Sequence, residues 1–133
     1  MTQEEKELLL KDLCGRLPYG VKFHYTKHPQ SNIDQDCDGI AIGYYCNLIV
    51  SANDKEFCVD RCKLYLRPMS SMTEAEAETY HNLQSDVWKP CGTMYYDNIR
   101  SIDWLNEHHF DYRRLIEKGL AIEVTKENNP YKE

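Results

Sequence analysis

The chain has 133 residues, a hydrophobic content of 41% and a formal net charge of −6, from 16 Lys and Arg against 22 Asp and Glu. This length supports one buried core and therefore predicts one domain. An apolar run long enough to span a membrane is absent, the acidic first residues do not fit a signal peptide, and the negative balance argues against duplex nucleic acid as the main partner.

The first predicted element is a helix that begins at the N-terminus. Thr2 and Glu5 have the spacing of a capping box, in which each side chain accepts a bond from the other's backbone N–H. Leucines recur on one helical face between residues 9 and 13. Gly15 follows them, and we expect it to end the helix because glycine readily adopts the left-handed conformation found there.

Three segments rich in β-branched and aromatic residues predict strands, at 21–25, 40–50 and 56–66. A polar loop at 27–38 separates the first two. The sequence Ser-Ala-Asn-Asp-Lys at 51–55 is typical of a hairpin turn between the last two. We expect a small antiparallel sheet of about three to five strands, arranged as a meander or a partial barrel.

The second half of the chain predicts short helices. Thr73 and Glu76 form another capping-box pattern before a helix over 74–83. Residues 84–97 predict an irregular connection, and Ser101 is expected to cap a helix over 102–108.

Asp111 is expected to cap a further short helix that Gly119 ends. A last strand is predicted over 120–124, followed by a polar, frayed tail at 126–133. The whole pattern predicts an α+β fold with one domain at 1–125: a small antiparallel sheet, an N-terminal helix and short C-terminal helices.

Six cysteines stand at positions 14, 37, 46, 58, 62 and 91. A domain of this size needs no disulfides to be stable, so we expect reduced thiols and a cytoplasmic location. Cys14 closes the apolar stripe of the first helix, and Cys46 and Cys58 fall inside predicted strands. We expect these three to be buried as small apolar side chains.

Three segments carry a resemblance: LLKDLCGRLPYGVK at 9–22, YLRPMSSMT at 65–73 and WLNEHHFDYRRLIEKGLA at 104–121. In them the chain resembles a family of small uncharacterised proteins of gut Bacteroidales bacteria, their phages and mobile elements. The resemblance implies a phage or mobile-element accessory protein that acts inside a bacterial host cell by binding a host component. Residues 27–62 depart from the family pattern. Arg114 stands where the family has a glycine, which predicts a straighter helix at that point.

Two patterns of metal-ligand residues are incomplete. Asp34, Asp36 and Asp38 have the spacing of the first three oxygen ligands of an EF-hand calcium loop. Tyr45, however, stands where that loop requires a bidentate glutamate. This favours a solvated acidic loop, and the sequence leaves cation binding there open.

The second pattern pairs histidines at 24 and 28 with cysteines at 58 and 62. Residues four apart on a strand lie about 13 Å from each other, too far for one zinc ion. We expect no cofactor.

A catalytic interpretation would start from the adjacent His108 and His109, followed by Asp111. No motif marks a nucleophile or a phosphate-binding loop. We favour a structural role for His108 at the end of a helix, where its charge suits the helix dipole.

The strongest indication of binding is a set of aromatic, cationic and hydroxyl side chains in the second half. Arginine can hold a phosphate with two parallel bonds, aromatic faces can stack a base, and the start of a helix favours anions. The alternative is that these side chains pack the sheet or pair with nearby carboxylates. The candidate binding residues are Arg67, Ser70, Ser71, Tyr95, Tyr96, Arg100, Trp104, His108, Arg113 and Arg114.

We therefore expect a non-catalytic binding protein rather than an enzyme. It would inhibit or adapt a host or phage protein, such as one of host defence, and its acidic charge would speed encounter with a basic partner. The alternative is a protein that sequesters a small nucleotide-like signal, and the third hypothesis is a small hydrolase that uses His108 or His109. The sequence leaves the oligomeric state open, a homo-oligomer included, and it predicts no membrane partner.

Overall fold

The computed structural model describes residues 1–30, 32–33, 35–85 and 94–131, with the backbone alone at 84–85 and 94–99. Three helices and six strands lie in this part of the chain. In chain order they are α1 (Gln3–Arg16), β1 (Lys22–Tyr25), β2 (Cys37–Tyr45), β3 (Leu48–Ser51), β4 (Glu56–Cys58), β5 (Cys62–Leu66), α2 (Glu74–Ser85), α3 (Met94–Glu107) and β6 (Ala121–Glu123).

The strands form one open sheet in the order β4-β3-β2-β1-β5-β6. Every pairing is antiparallel except that of β6 with β5, which is parallel. The predicted α+β class is confirmed, and the sheet is open rather than a barrel. None of the helices in the described part of the chain has the length and apolar character needed to cross a membrane.

Two strand boundaries differ from the prediction. The segment 40–50 is not one strand, because the chain turns at Cys46, whose φ of 51° is left-handed, and returns as β3. The segment 56–66 breaks at a short 3₁₀ turn, Val59–Arg61. Val59 is fully buried and its N–H donates to the Asn47 carbonyl. This turn moves β5 across the sheet to pair with β1 instead of β3.

The core lies between α1 and one face of the sheet, called here the inner face. Leu9 and Leu13 of α1 pack with Phe23, Leu64 and other buried apolar residues. Side chains alternate along each strand, so the opposite, outer face carries the remaining residues of β1 to β5. The N-terminal capping box of Thr2 and Glu5 is present as predicted.

Gly15 does not end α1, and that prediction is wrong. The helix runs on to Arg16 and into a 3₁₀ turn, Leu17–Tyr19, and Gly20 with φ of 68° supplies the left-handed residue. Gly15 instead allows α3 to approach, because a Cβ there would lie 2.9 Å from Nδ2 of Asn106.

The second capping box, of Thr73 and Glu76, is also present at the start of α2. Helix α3 begins at Met94, so 94–97 is helical rather than irregular, and Ser101 lies inside the helix instead of capping it. The predicted irregular residues 86–93, which include Trp88, lie outside the described residues.

The segment after α3 forms turns instead of the predicted short helix. Asp111 nevertheless acts as a cap, since its carboxylate accepts the N–H groups of Leu115 and Ile116 at 2.8 and 3.0 Å. Arg114 has a φ of 60°. The prediction of a straighter helix at Arg114 is therefore wrong, because the backbone makes the tight turn for which a glycine would be suited.

A fully buried ion pair joins α1 to this segment. Arg16 donates from Nε to the Asp12 carboxylate at 2.6 Å and from Nη2 to the Phe110 carbonyl at 2.6 Å. Both Arg16 and Asp12 are completely buried. Arg113 adds a second cation 3.2 Å from Asp12. The face of the Arg16 guanidinium also lies over the Tyr112 ring.

Replacing Arg16 with methionine should lower the free energy of unfolding by about 3–5 kcal/mol, because it removes the closest partner of a buried carboxylate. The double variant Asp12→Leu, Arg16→Met should lose less than the single variant, since it leaves no buried carboxylate. Urea unfolding measures both. Lys6→Met is the control: Lys6 lies on the same helix, its ion pair with Asp60 is partly exposed, and the loss of that pair should cost less than about 1 kcal/mol. A milder effect of Arg16→Met than of Lys6→Met would contradict this account.

Arg114→Gly should raise the free energy of unfolding by about 0.5–1 kcal/mol, the left-handed strain it removes less the greater freedom of glycine in the unfolded chain. The melting temperature should rise by roughly 2–3 °C. Glu117→Gly tests the same substitution at an exposed neighbour without positive φ and should lower the melting temperature. Equal shifts in the two variants would show that strain at Arg114 is not relieved.

Candidate functional site

A groove of about 480 Å³ lies beside the ends of β5, β6 and α3. Its walls come from three places in the sequence: the residues after β5, the last turn of α3, and the C-terminal segment. The lining residues are Arg67, Ser71, Glu107, His108, His109, Val124, Thr125, Lys126, Asn129 and Tyr131. The groove therefore brings together three of the predicted binding residues, Arg67, Ser71 and His108.

Arg67 lines the groove and contacts both the first turn of α2 and the residues that follow α3. Its guanidinium donates to both carboxylate oxygens of Glu76 at 2.8 Å, and more weakly to the Ser71 carbonyl. The Phe110 ring lies under its flat face at 4.3 Å. Its backbone pairs with residues 109 and 111 in an isolated bridge. The cation predicted to hold a phosphate is thus already paired inside the protein.

Glu76 is the other half of this pair. The hydrogen bonds from Arg67 lower the pKa of Glu76 to about 2, against the opposing effect of burial, and the backbone N–H of Thr73 adds to the lowering. One carboxylate therefore serves both the capping box of α2 and the link to β5.

His108 directly follows α3, and its ring contacts that of Trp104, one turn earlier, at a centroid distance of 4.5 Å. The His108 ring nitrogen Nδ1 is 2.9 Å from the Trp104 carbonyl. A carbonyl oxygen can only accept, so Nδ1 carries the proton and Nε2 is the nitrogen left for other partners. Trp104 is predicted to stack a base, but its ring packs between those of Tyr80 and Phe110, at centroid distances of 5.9 and 5.6 Å.

His109 forms part of the groove in a strained backbone conformation, with φ of 63°. Its ring stacks on the Tyr131 ring, with centroids 3.7 Å apart and planes 8° from parallel. Burial, followed by the charge of Arg16 and other cations, lowers the pKa of His109 to about 4. The ring is therefore neutral near pH 7, and its buried Nδ1 has no hydrogen-bond partner among the described residues.

Tyr131 closes the groove from the C-terminal side. Its hydroxyl accepts the Lys22 N–H and donates to the Tyr65 carbonyl, both at 2.8 Å, so it bridges β1 and β5 where their ladder ends. Burial raises the pKa of Tyr131 and keeps the phenol protonated. The prediction of a frayed tail is therefore wrong for the described part of the tail, which ends at Tyr131.

The other predicted residues whose side chains are described do not line the groove. Ser70 is exposed in the turn before α2, and Arg100 is exposed on α3. Arg113 lies beside Asp12, and Arg114 is exposed at its turn. Tyr95 and Tyr96 belong to α3, but their side chains lie outside the described residues.

The sequence reasoning missed Lys126 and Tyr131 because the tail was treated as frayed. It considered His109 only as a catalytic group. A tyrosine in an otherwise polar tail was the available signal, since a large amphipathic side chain gains by packing. Ser71 is no candidate nucleophile activated by these histidines, because its hydroxyl donates to the Pro68 carbonyl at 2.7 Å.

Within the described part of the chain, no group of three or more His, Cys, Asp and Glu side chains could hold a metal ion. Asp38, from the acidic loop pattern, contacts His24 at 2.7 Å and accepts the Tyr65 hydroxyl at 2.8 Å. Asp36 accepts the Lys27 N–H. Asp34 lies outside the described residues.

The five described cysteines form no disulfide. Cys14, Cys46 and Cys58 are exposed, so the prediction that they are buried is wrong. Cys46 occupies the turn that the prediction missed, and Cys14 faces outward at the end of α1. Cys62 is buried, which raises its thiol pKa to about 12.

In comparisons with known proteins, no family model, no curated protein and no solved structure matched this chain.

Acid should selectively remove the contribution of Glu76 to stability. Its folded pKa of about 2 lies below the ordinary 4.5, so its contribution is complete above pH 4.5 and is lost as the pH falls towards 2. Glu76→Gln should therefore be less stable than wild type at neutral pH, and the difference should close on acidification. Urea unfolding over this pH range measures it. Glu78→Gln, at an exposed position of α2, should follow the wild-type curve. A difference that stays constant with pH would contradict the Arg67–Glu76 pairing.

Proposed function

We propose that this chain is a non-catalytic binding protein that acts on a basic protein partner, and that its contact surface lies on and around β2. The observation that carries the proposal is the position of the exposed large hydrophobic side chains. Seven are exposed among the described residues, and five of these lie between Ile33 and Tyr45. Such a concentration is typical of an interaction site, whereas single exposed apolar residues are not.

Three of these five define what is called here the β2 patch: Ile40, Ile42 and Tyr45. Ile40 pairs with Lys22, and Tyr45 pairs with Leu48, on the outer face of the sheet. Ile42 occupies the irregularity between Ala41 and Gly43 and is 52% exposed. Helix α1 covers the inner face, so the β2 patch lies on the side turned away from it.

The charge of the same segment supports a basic partner. Residues 33–58 contain five acidic side chains and one lysine, so this fifth of the chain holds most of the net negative charge. Apolar anchors surrounded by one sign of charge favour a partner with apolar pockets and the opposite charge, and the charge accelerates encounter. A protein that normally binds nucleic acid has such a basic surface.

The geometry favours this proposal over the nucleotide-sequestering alternative. That alternative depends on Arg67 and Arg113 as phosphate ligands, and these side chains contact Glu76 and Asp12 respectively. Its stacking platform, Trp104, packs between two aromatic rings.

The hydrolase hypothesis has no supporting contact between a nucleophile and His108 or His109 among the described residues.

The resemblance to proteins of Bacteroidales phages and mobile elements supports a cellular setting for the proposed function: an accessory protein that inhibits or adapts a host protein, such as a component of defence. Residues 27–62, which depart from the family pattern, include the β2 patch. We therefore expect the partner that binds the β2 patch to be specific to this chain.

Site-specific photo-cross-linking tests the proposal directly. A benzophenone amino acid at position 42, in protein expressed in a Bacteroidales host, should cross-link one discrete basic protein. The same probe at Ile102, an isoleucine of similar exposure on α3, should not. With the purified partner, Ile42→Ser should weaken binding about tenfold or more, since it removes a buried apolar anchor. Ile102→Ser should leave the affinity unchanged.

Rising salt should slow association with this partner and have little effect on dissociation, because the charge acts at long range. Identical cross-links from positions 42 and 102, no cross-link from either, or an acidic partner would overturn the proposal.

A further inference from the structure

Several basic side chains lie around the groove beside Arg67, His108 and His109 in an acidic protein. Burial is the largest cause of the lowered pKa of His109, and the neighbouring basic groups Arg16, His108, Arg67 and Lys22 add to the lowering. In a chain with a net charge of −6, a cluster of basic side chains is the local feature that attracts an anion.

Among the described residues, a nitrogen atom of Arg16 and one of His109 are buried without a hydrogen-bond partner. Arg16 is completely buried, and one terminal nitrogen of its guanidinium makes no hydrogen bond to the described residues. His109 has a buried Nδ1 in the same condition. Buried groups of this kind are rare in folded proteins and concentrate at functional sites, as does the left-handed backbone of His109.

Lys126 supplies an available cation at the groove. It lines the groove, is exposed, and has no ion pair or hydrogen bond with the described residues. The carboxylate of Glu107 also lines the groove. The charge of Arg67 is already balanced by Glu76, so an anion would rely on Lys126 and on the imidazoles for its hydrogen bonds.

We propose that the groove binds a small organic anion, with its phosphate or carboxylate group between Lys126 and the two imidazoles and its apolar part against Val124 and Tyr131. The volume of about 480 Å³ lies within the range of small-molecule sites. Nε2 of His108 is available because Nδ1 is directed at the Trp104 carbonyl. This site is separate from the β2 patch and does not depend on the proposed function.

Nuclear magnetic resonance titration with phenyl phosphate and with benzoate tests the proposal. Either compound should shift the ring signals of His109 and Tyr131 in a saturable manner. Tighter binding of phenyl phosphate would identify a phosphate ester as the ligand class, and tighter binding of benzoate a carboxylate. The bound anion should also raise the pKa of His109 from about 4, because it offsets the surrounding cations.

The variant Lys126→Gln should weaken binding about tenfold or more, the loss of one charge-assisted hydrogen bond. It should fold as wild type, since Lys126 is exposed without a described partner. Lys118→Gln, at an exposed lysine that does not line the groove, should bind as wild type.

Four results would overturn the proposal. They are the absence of saturable shifts with both compounds, unchanged affinity in Lys126→Gln, equal binding of uncharged phenol, and binding of inorganic phosphate as tight as that of phenyl phosphate. The third would indicate an apolar pocket, and the last a simple ion site without recognition of an organic group. None of these results bears on cross-linking at position 42, so the two proposals fail separately.

Discussion

The guanidinium of Arg16 is the contact on which the second half of the structure depends. It joins Asp12, one turn earlier on α1, to the carbonyl of Phe110, 94 residues later. Taking both charges out of water is costly, and the pair is tolerated because short, charge-assisted bonds compensate. The position of the Phe110 carbonyl in turn places the Phe110 ring under Arg67, whose carboxylate partner begins α2. One buried cation thus begins a chain of contacts that connects α1 to the end of β5 and the start of α2.

The groove is a consequence of this arrangement. His109 directly precedes Phe110, and its left-handed backbone turns the ring towards Tyr131. The Tyr131 hydroxyl takes the place of a backbone group between β1 and β5. The strain at His109 is retained because its own carbonyl accepts the Arg67 N–H and the carbonyl of the next residue, Phe110, accepts from Arg16. The concavity therefore rests on a fixed framework and not on a free loop.

Local signals in the sequence predicted local structure well. The two capping boxes, the hairpin at 51–55 and the alternation in β1 depend on neighbouring residues, and all are present. The sequence could not reveal that Asp12 and Arg16 are buried, because an acid and a base four residues apart usually mark an exposed helical face.

The candidate site was harder to predict for the same reason. Arg67 before a helix start indicates an anion site, yet the Glu76 of the capping box is itself the anion. Gly15 indicates a helix end, yet it serves a contact with α3 that depends on tertiary packing. In each case the residue type was informative, but its partner lay outside the local motif: Glu76 in the following helix for Arg67, and Asn106 in the distant α3 for Gly15.

The two proposed surfaces differ in the charge of the side chains around them. The β2 patch lies within an acidic segment on one side of β1, whereas the groove and its cations lie beyond β5 on the other. Lys22 contacts both regions: it pairs with Ile40 in the β1–β2 ladder, and it bonds to Tyr131 of the groove wall and to the adjacent Pro130. Linkage between a partner on β2 and an anion in the groove requires an element with two arrangements that both ligands favour unequally.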